Sequence, residues 1–304
     1  MITFFTTCKP FRGHDGIIQR NALKSWTLVD QSVEVIVFGD EEGVKEVCAE
    51  YGLRHEPQVE RFESKMPFVR SLFGQAQEIA RHPYLCYSNC DIIFMEDFLA
   101  AFKAAAKWRE RFLMVGQRWD LDVTHAIEFA RSDWGGELRQ RAAASAEHQY
   151  PEYVDFFLFS KGLYEEIPPL IVGYPYWDHW MVWRALSKGV PVVDTSAAVV
   201  PVHQNHDYNT TPDRTKGSNS ERLAQMNREL SGKGKHLRSI LDTTYRMSPN
   251  GAIHRSRFRR QLESSAYLNA RQFIAEKTFW LRKILGLRRR STDESNQSRP
   301  APRR

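Results

Sequence analysis

Residues 84–94 read YLCYSNCDIIF: a strand-like run from Tyr84 to Ser88, then Asn89-Cys90-Asp91, then Ile92-Ile93-Phe94. A short apolar run bounded by turn formers is the pattern of a strand covered on both faces. A carboxylate that emerges from such a strand is costly to bury without a partner, so Asp91 is either a turn or cap residue or part of a binding site. In an extended segment positions i and i+2 share a face, and Asn89 and Asp91 could then converge on one hard cation.

The same alternation of apolar runs and helical spacing continues on both sides of this stretch. Residues 2–7 (ITFFTT), 33–38 (VEVIVF) and 112–116 (FLMVG) are predicted strands. Helices are predicted over 17–27, about 41–51, 68–81 and about 97–108. Strands separated by helices of this length imply βαβ units, hence an α/β fold with a mixed, mostly parallel central sheet flanked by helices. Ligands in such sheets sit beyond the carboxyl ends of the strands, where this chain has Thr6-Thr7, Asp40, Asn89 to Asp91 and Gln117 to Asp122. Further on, 150–169 suggests a strand and a short helix, 177–189 a helix, 190–203 one strand and 221–245 a helix.

With 304 residues, 42% hydrophobic and 26% charged, the chain has the composition of a globular protein with a large core. The four cysteines, Cys8, Cys48, Cys86 and Cys90, have no metal-knuckle spacing and are too sparse for a disulfide scaffold, which suits a reducing compartment. The N-terminus reads as a strand rather than a secretory signal, and no segment approaches ~18 uninterrupted apolar residues. The net charge of +6 is unevenly placed: residues 251–304 hold 14 Lys and Arg against 4 Asp and Glu, leaving 29 against 33 before them. A basic appendage on a mildly acidic body argues against a nucleic-acid surface.

Three further clusters carry chemistry. PVHQNHDY (201–208) follows an apolar run; His203 offers an imidazole to a cation, and His206-Asp207 a loop contact. GQRWDLD (116–122) competes for the cation through Asp120 and Asp122, or faces a sugar with Trp119 and Asp120, while Arg118 either meets a phosphate or pairs with a neighbouring carboxylate. YPYWDHW (174–180) sets Asp178 among aromatics, as a helix N-cap or as a general base. Phosphate-binding glycine loops, a nucleophile elbow and His-Glu-x-x-His are all missing.

Taken in order, TTCKPF (6–11), FGD (38–40), SNCDIIF (88–94), WDLD (119–122), YWDHW (176–180) and VHQNHDY (202–208) resemble the nucleotide-sugar glycosyltransferases of the GT-A fold, a Rossmann-like architecture, over residues 2–250. The resemblance implies that Thr6, Thr7, Lys9 and Asp40 meet the nucleotide. It implies a Mn²⁺ or Mg²⁺ site at Asn89, Asp91 and His203, with Asn89 departing from the family's Asp-x-Asp by bringing no charge. Arg118, Trp119, Asp120 and Asp122 would line the donor sugar, and Asp178 would be the base. The partners implied are a nucleotide-sugar donor and a glycan, lipid-linked or protein acceptor. A non-catalytic sugar-binding module and a sugar-phosphate nucleotidyltransferase are the competing readings.

The expected organisation is a catalytic domain over 1–250, a basic amphipathic helical extension over 251–290 and a disordered tail over 291–304. In FIAEKTFWLRKILGLRRR (273–290) aromatics and leucines alternate with cations, a pattern suited either to the interface of an anionic membrane or to packing on the domain. A cytoplasmic protein, peripheral on the inner membrane face, is the corresponding expectation.

Overall fold

In a computed structural model of the chain, residues 1–63, 65–145, 147–148, 153–206 and 218–256 are described. The expected basic extension beyond 256, including 273–290 and the tail 291–304, and the loop from Asp207 lie outside them.

The first half runs β1 (Ile2–Thr7), α1 (Gly13–Thr27), β2 (Glu34–Phe38), α2 (Val44–Tyr51), β3 (Arg54–Glu56), β4 (Arg61–Phe62), β5 (Met66–Pro67) and α3 (Val69–Ile79). It continues with β6 (Tyr84–Ser88), β7 (Ile92–Ile93), α4 (Glu96–Trp108), β8 (Leu113–Val115) and β9 (Trp119–Leu121). The second half holds α5 (Trp134–Ser145), β10 (Glu147–His148), β11 (Phe156–Ser160), α6 (Trp177–Ser187), β12 (Val192–Asp194) and β13 (Val202–Gln204). It closes with α7 (Ser218–Leu230), β14 (Tyr245–Met247) and β15 (Ile253–Arg255).

Nine strands form the main sheet in the order β15-β14-β12-β8-β11-β6-β1-β2-β3. Most pairings are parallel; β11 runs antiparallel between β6 and β8, and β15 is an antiparallel edge. The expected α/β architecture is what the chain forms, and its last strand carries the sheet to Arg255, a few residues beyond 250. Alternation along the strands explains the layers. Phe4, Val35, Val37 and Cys86 point to α1, α2 and α4, while Phe5, Ile36, Phe38, Leu85 and Tyr87 point to α3 and α6.

Parallel pairing of β1 with β2 and with β6 brings Thr7, Phe38 and Ser88 to one edge. The antiparallel entry of β11 returns Asp155 to that edge beside Ser88. A second sheet, in the order β10-β9-β13-β7, begins there too, since β7 follows β6 after only three residues. Trp26 ties it to the helical layer: its indole Nε1 donates to Ile92 O at 2.8 Å, and its ring stacks on Phe4.

Three expectations are corrected. Residues 190–203 are two strands in different sheets, because the chain turns after Thr195, whose carbonyl accepts from the N–H groups of Ala198 and Val199. The helix expected over 221–245 ends at Leu230, where Gly232 and Gly234 take left-handed backbone angles and stop it. No short helix follows β11 among the described residues; Gly162 turns the chain at positive φ, and Pro168-Pro169 disfavours helix.

Candidate active site

Asn89, Cys90 and Asp91 are a turn rather than a continued strand: Ile92 N–H bonds back to Asn89 O at 3.2 Å. The shared-face reading of Asn89 and Asp91 therefore does not hold, and the two side chains part. The Asn89 amide donates to Asp155 Oδ1 at 2.7 Å and its carbonyl accepts from the Tyr87 hydroxyl at 3.2 Å. Asp91 instead faces β13 and the residues after it. Gln204, fully buried, holds the Asp91 backbone carbonyl with its own N–H at 3.1 Å and with its side-chain amide, which also reaches Ile18 O.

Register then builds the cluster. His203 pairs with Ile92 on one side and with Asp120 on the other. Its Nε2 lies 3.6 Å from Asp91 Oδ2, and its Nδ1 lies 3.1 Å from Asp120 Oδ1. His206, just past the strand, brings Nε2 to 3.1 Å from the same Asp91 oxygen. One ligand atom from each of Asp91, His203 and His206 falls within 4.8 Å of the others. Asp91 Oδ1 is buried with no hydrogen-bond partner among the described residues. A carboxylate and two imidazoles are a donor set that takes a first-row divalent cation, and a carboxylate behind the imidazole is the usual way to fix its tautomer. The residues present thus fit the expected cation, with His206 where the sequence suggested Asn89.

Electrostatics agree. Burial pushes the Asp91 carboxyl up, but the two imidazoles hold it well below its ordinary range. Burial pushes His203 down, yet Asp91 and Asp120 outweigh it and raise this imidazole to about 9. Metal-free His203 is therefore protonated at neutral pH, and an entering cation must displace that proton. Affinity for Mn²⁺ is expected to rise about tenfold per pH unit up to about pH 9. Calorimetry at pH 7 in buffers of different ionisation enthalpy should find about one proton released per Mn²⁺ bound. The sign for folding is the reverse: the raised His203 stabilises the metal-free fold below its ordinary 6.5, and that contribution is lost as pH rises through about 9.

Behind the cluster lies a buried charge network. Arg118 is 7% exposed; its Nε donates to Asp120 Oδ1 at 2.8 Å and its Nη1 to both oxygens of Asp155 at 3.1 and 3.0 Å. Pairing with carboxylates, rather than reach for a phosphate, is what this arginine does. Trp119 packs with the core of the small sheet, beside Val202 and Leu121. Asp122 is exposed and accepts from the Asn205 amide at 2.8 Å.

Asp178 lies in the first turn of α6, one residue past Trp177, whose ring meets Tyr87 edge-on at 5.3 Å. It is not the N-cap; Tyr176 holds that place, with φ +86°. Burial raises the Asp178 carboxyl; His179 opposes this and the Asp155 charge adds to it. Its Oδ1 is buried without a hydrogen-bond partner among the described residues.

The expected nucleotide residues share the edge without forming one cluster. Thr6 is buried, and its hydroxyl donates to Ser88 O at 2.7 Å, joining β1 to β6. Thr7 is half-buried, Lys9 pairs with Asp15 at 3.1 Å, and Asp40 is exposed beside Arg61 at 3.3 Å. Missed altogether was Asp155, although YVDFFLF (153–159) repeats the signature of a carboxylate against an apolar strand.

No family model matches the chain, and no curated protein matches it. Among solved structures, it is similar to TarS residues 1–349 of S. aureus in complex with UDP-GlcNAc, at 13% identity and TM-score 0.32 over 40% of this chain and 35% of that one. It is also similar to glucosyl-3-phosphoglycerate synthase from Mycobacterium tuberculosis in complex with Mn²⁺, UDP and glucosyl-3-phosphoglycerate, at 10% identity and TM-score 0.43 over 76% of this chain and 80% of that one. The chain spans about a third of the length of the TarS structure.

Proposed function

We propose that the chain is a glycosyltransferase that moves a sugar, most simply a hexose, from a nucleoside diphosphate to a hydroxyl of a glycan, lipid-linked or protein acceptor. The observation that carries this reading is the cluster of Asp91, His203 and His206 at the carboxyl edge of a mostly parallel sheet. Those three residues would hold Mn²⁺ or Mg²⁺, which when bound neutralises charge on the departing diphosphate.

The remaining steps belong to the chain. Asp178 Oδ1 accepts the proton of the attacking hydroxyl; burial makes it a stronger base than an exposed aspartate. Asp120 orients His203, and Arg118 pairs with both Asp120 and Asp155 and holds their side chains in place. Thr7, Lys9 and Asp40, at the ends of the first two strands, line the path of the nucleotide. Trp119, Asp120 and Asp122 flank the donor sugar in this scheme.

The test is release of nucleoside diphosphate from UDP-, GDP- and dTDP-sugars with and without Mn²⁺ or Mg²⁺. Release from no donor, together with no thermal stabilisation by any nucleotide, would leave the cluster as a binding module. Asp178→Asn separates base from scaffold. Turnover should fall about 10²-fold. The fold, freed of a buried carboxylate, should gain stability above the ordinary aspartate value of 3.8 and none below it, since a raised carboxyl stabilises only while protonated. A rise in melting temperature of about 2–4 °C at pH 7, equal to about 1 kcal/mol in a domain of this size, vanishing near pH 3, is the expected pattern.

We assign the catalytic unit to residues 1–256, place the protein in the cytoplasm, and take 273–290 as its contact with anionic lipid. Binding to phosphatidylglycerol vesicles that survives truncation at 270 would remove that last assignment.

A further inference from the structure

The turn that carries Asp91 also carries Cys90, and the first residue after β1 is Cys8. Their sulfur atoms lie 3.1 Å apart although 82 residues separate them in sequence. Both are thiols, each 7% exposed, and both belong to the core on the α1 side of the sheet. Their immediate neighbours are not sealed: Lys9 and Asp91 keep side-chain exposures of 31% and 18%. Cys8 and Cys90 thus lie next to partly exposed residues, whereas Cys86 is buried in the middle of β6 at 0% exposure.

We propose that Cys8 and Cys90 are a reversible oxidation site that disables the neighbouring cation centre; the regulatory half of this rests on the function proposed above. With hydrogen peroxide as oxidant the balance is simple. The two thiols give up two protons and two electrons, the S–S bond forms, the O–O bond breaks, and both oxygens leave as water. A disulfide needs its sulfurs about 1 Å closer than the present contact. That movement pulls on residue 90, bonded to Asp91, whose carboxylate oxygen now sits 3.1 Å from His206 and 3.6 Å from His203. The backbone of Asp91 cannot follow freely, because Gln204 holds its carbonyl from the second sheet. Strain thus falls on the ligand geometry, and displacing the supports of a metal ligand typically lowers affinity about 10- to 100-fold.

The experiment uses the full-length chain, reduced and then treated with hydrogen peroxide. Intact mass, peptide mapping and Mn²⁺ affinity measured without any donor are the three readouts. The expected result is a loss of about two mass units, from the two hydrogens removed, in a Cys8–Cys90 linked peptide. Mn²⁺ binding should weaken at least tenfold and recover on adding dithiothreitol. Cys8→Ala should keep its Mn²⁺ affinity under peroxide, and Cys48→Ala should still cross-link. Should Cys8→Ala fail to fold, the wild-type map and affinity decide alone. A linkage that is absent, a linkage through Cys48 or Cys86, or a linked protein that binds Mn²⁺ as the reduced one does would each overturn the proposal. A reduced protein that binds no Mn²⁺ would instead sink the cation centre and the regulation with it, while the mass map still decides the cross-link.

Discussion

Asp91→Ala is expected to lower metal-dependent release of nucleoside diphosphate by about 10²- to 10³-fold, the scale of losing a preorganised electrostatic contact at a departing group. Asp91 is the one member of the cluster that touches both imidazoles, so its removal leaves His203 and His206 without a shared anionic partner. The fold should survive. His203 keeps Asp120 on its other nitrogen, and an imidazole that loses one counter-charge can give up its proton instead of remaining a buried cation. Melting temperature in the absence of metal should fall, because the stabilisation that Asp91 and His203 give each other at neutral pH is lost, while the rise in melting temperature caused by Mn²⁺ in the native protein disappears. Turnover within a factor of a few of the native protein would remove Asp91 from the site.

Arg118→Met has the opposite character, with stability as the first casualty. This guanidinium is the buried counter-charge for Asp120 and Asp155, and the Asp178 carboxylate lies within the field of Asp155. Removing one partner of a buried ion pair leaves the other uncompensated, at a cost of about 3–5 kcal/mol. Denaturant unfolding at pH 7 should show a loss of that size. The pH dependence has a defined sign. Burial raises the Asp120 carboxyl, but His203 and Arg118 together hold it below the ordinary 3.8, so its contribution is present above that value and lost as pH falls through the folded one. The gap between native and variant should therefore narrow in acid. Adding Asp155→Asn to Arg118→Met should recover part of the loss, because the pair is coupled. A loss under ~1 kcal/mol, the range of ordinary surface pairs, would mean that the network is solvated.

The main sheet was legible because its inner strands are long apolar runs covered on both faces, as in ITFFTT and YLCYS. Asp91 and His203 were legible for the same reason: a charged or imidazole group beside such a run stands out. The small sheet was not. Strands β7, β9 and β13 have two or three residues each, too few to display an alternation. Without it nothing in the sequence says that Asp120 lies opposite His203, or that Arg118 faces Asp155 from across the edge. Asn89 was misplaced by treating residues 89–91 as extended, when a backbone hydrogen bond from Ile92 closes them into a turn. His206 shares its polar stretch with ordinary loop residues, and only the position of Asp91 distinguishes it.

The cluster draws its members from distant parts of the sequence: Asp91 and His206 are 115 residues apart. Closing so long a loop costs chain entropy that no local contact offsets, so the centre comes together only once the rest of the sheet has formed. A cation held there has no purchase on the unfolded chain or on early folding species. Its stabilisation must then appear almost wholly as slower unfolding, leaving the rate of folding unchanged, and it makes the metal a brake on the opening of the finished protein rather than a template for building it.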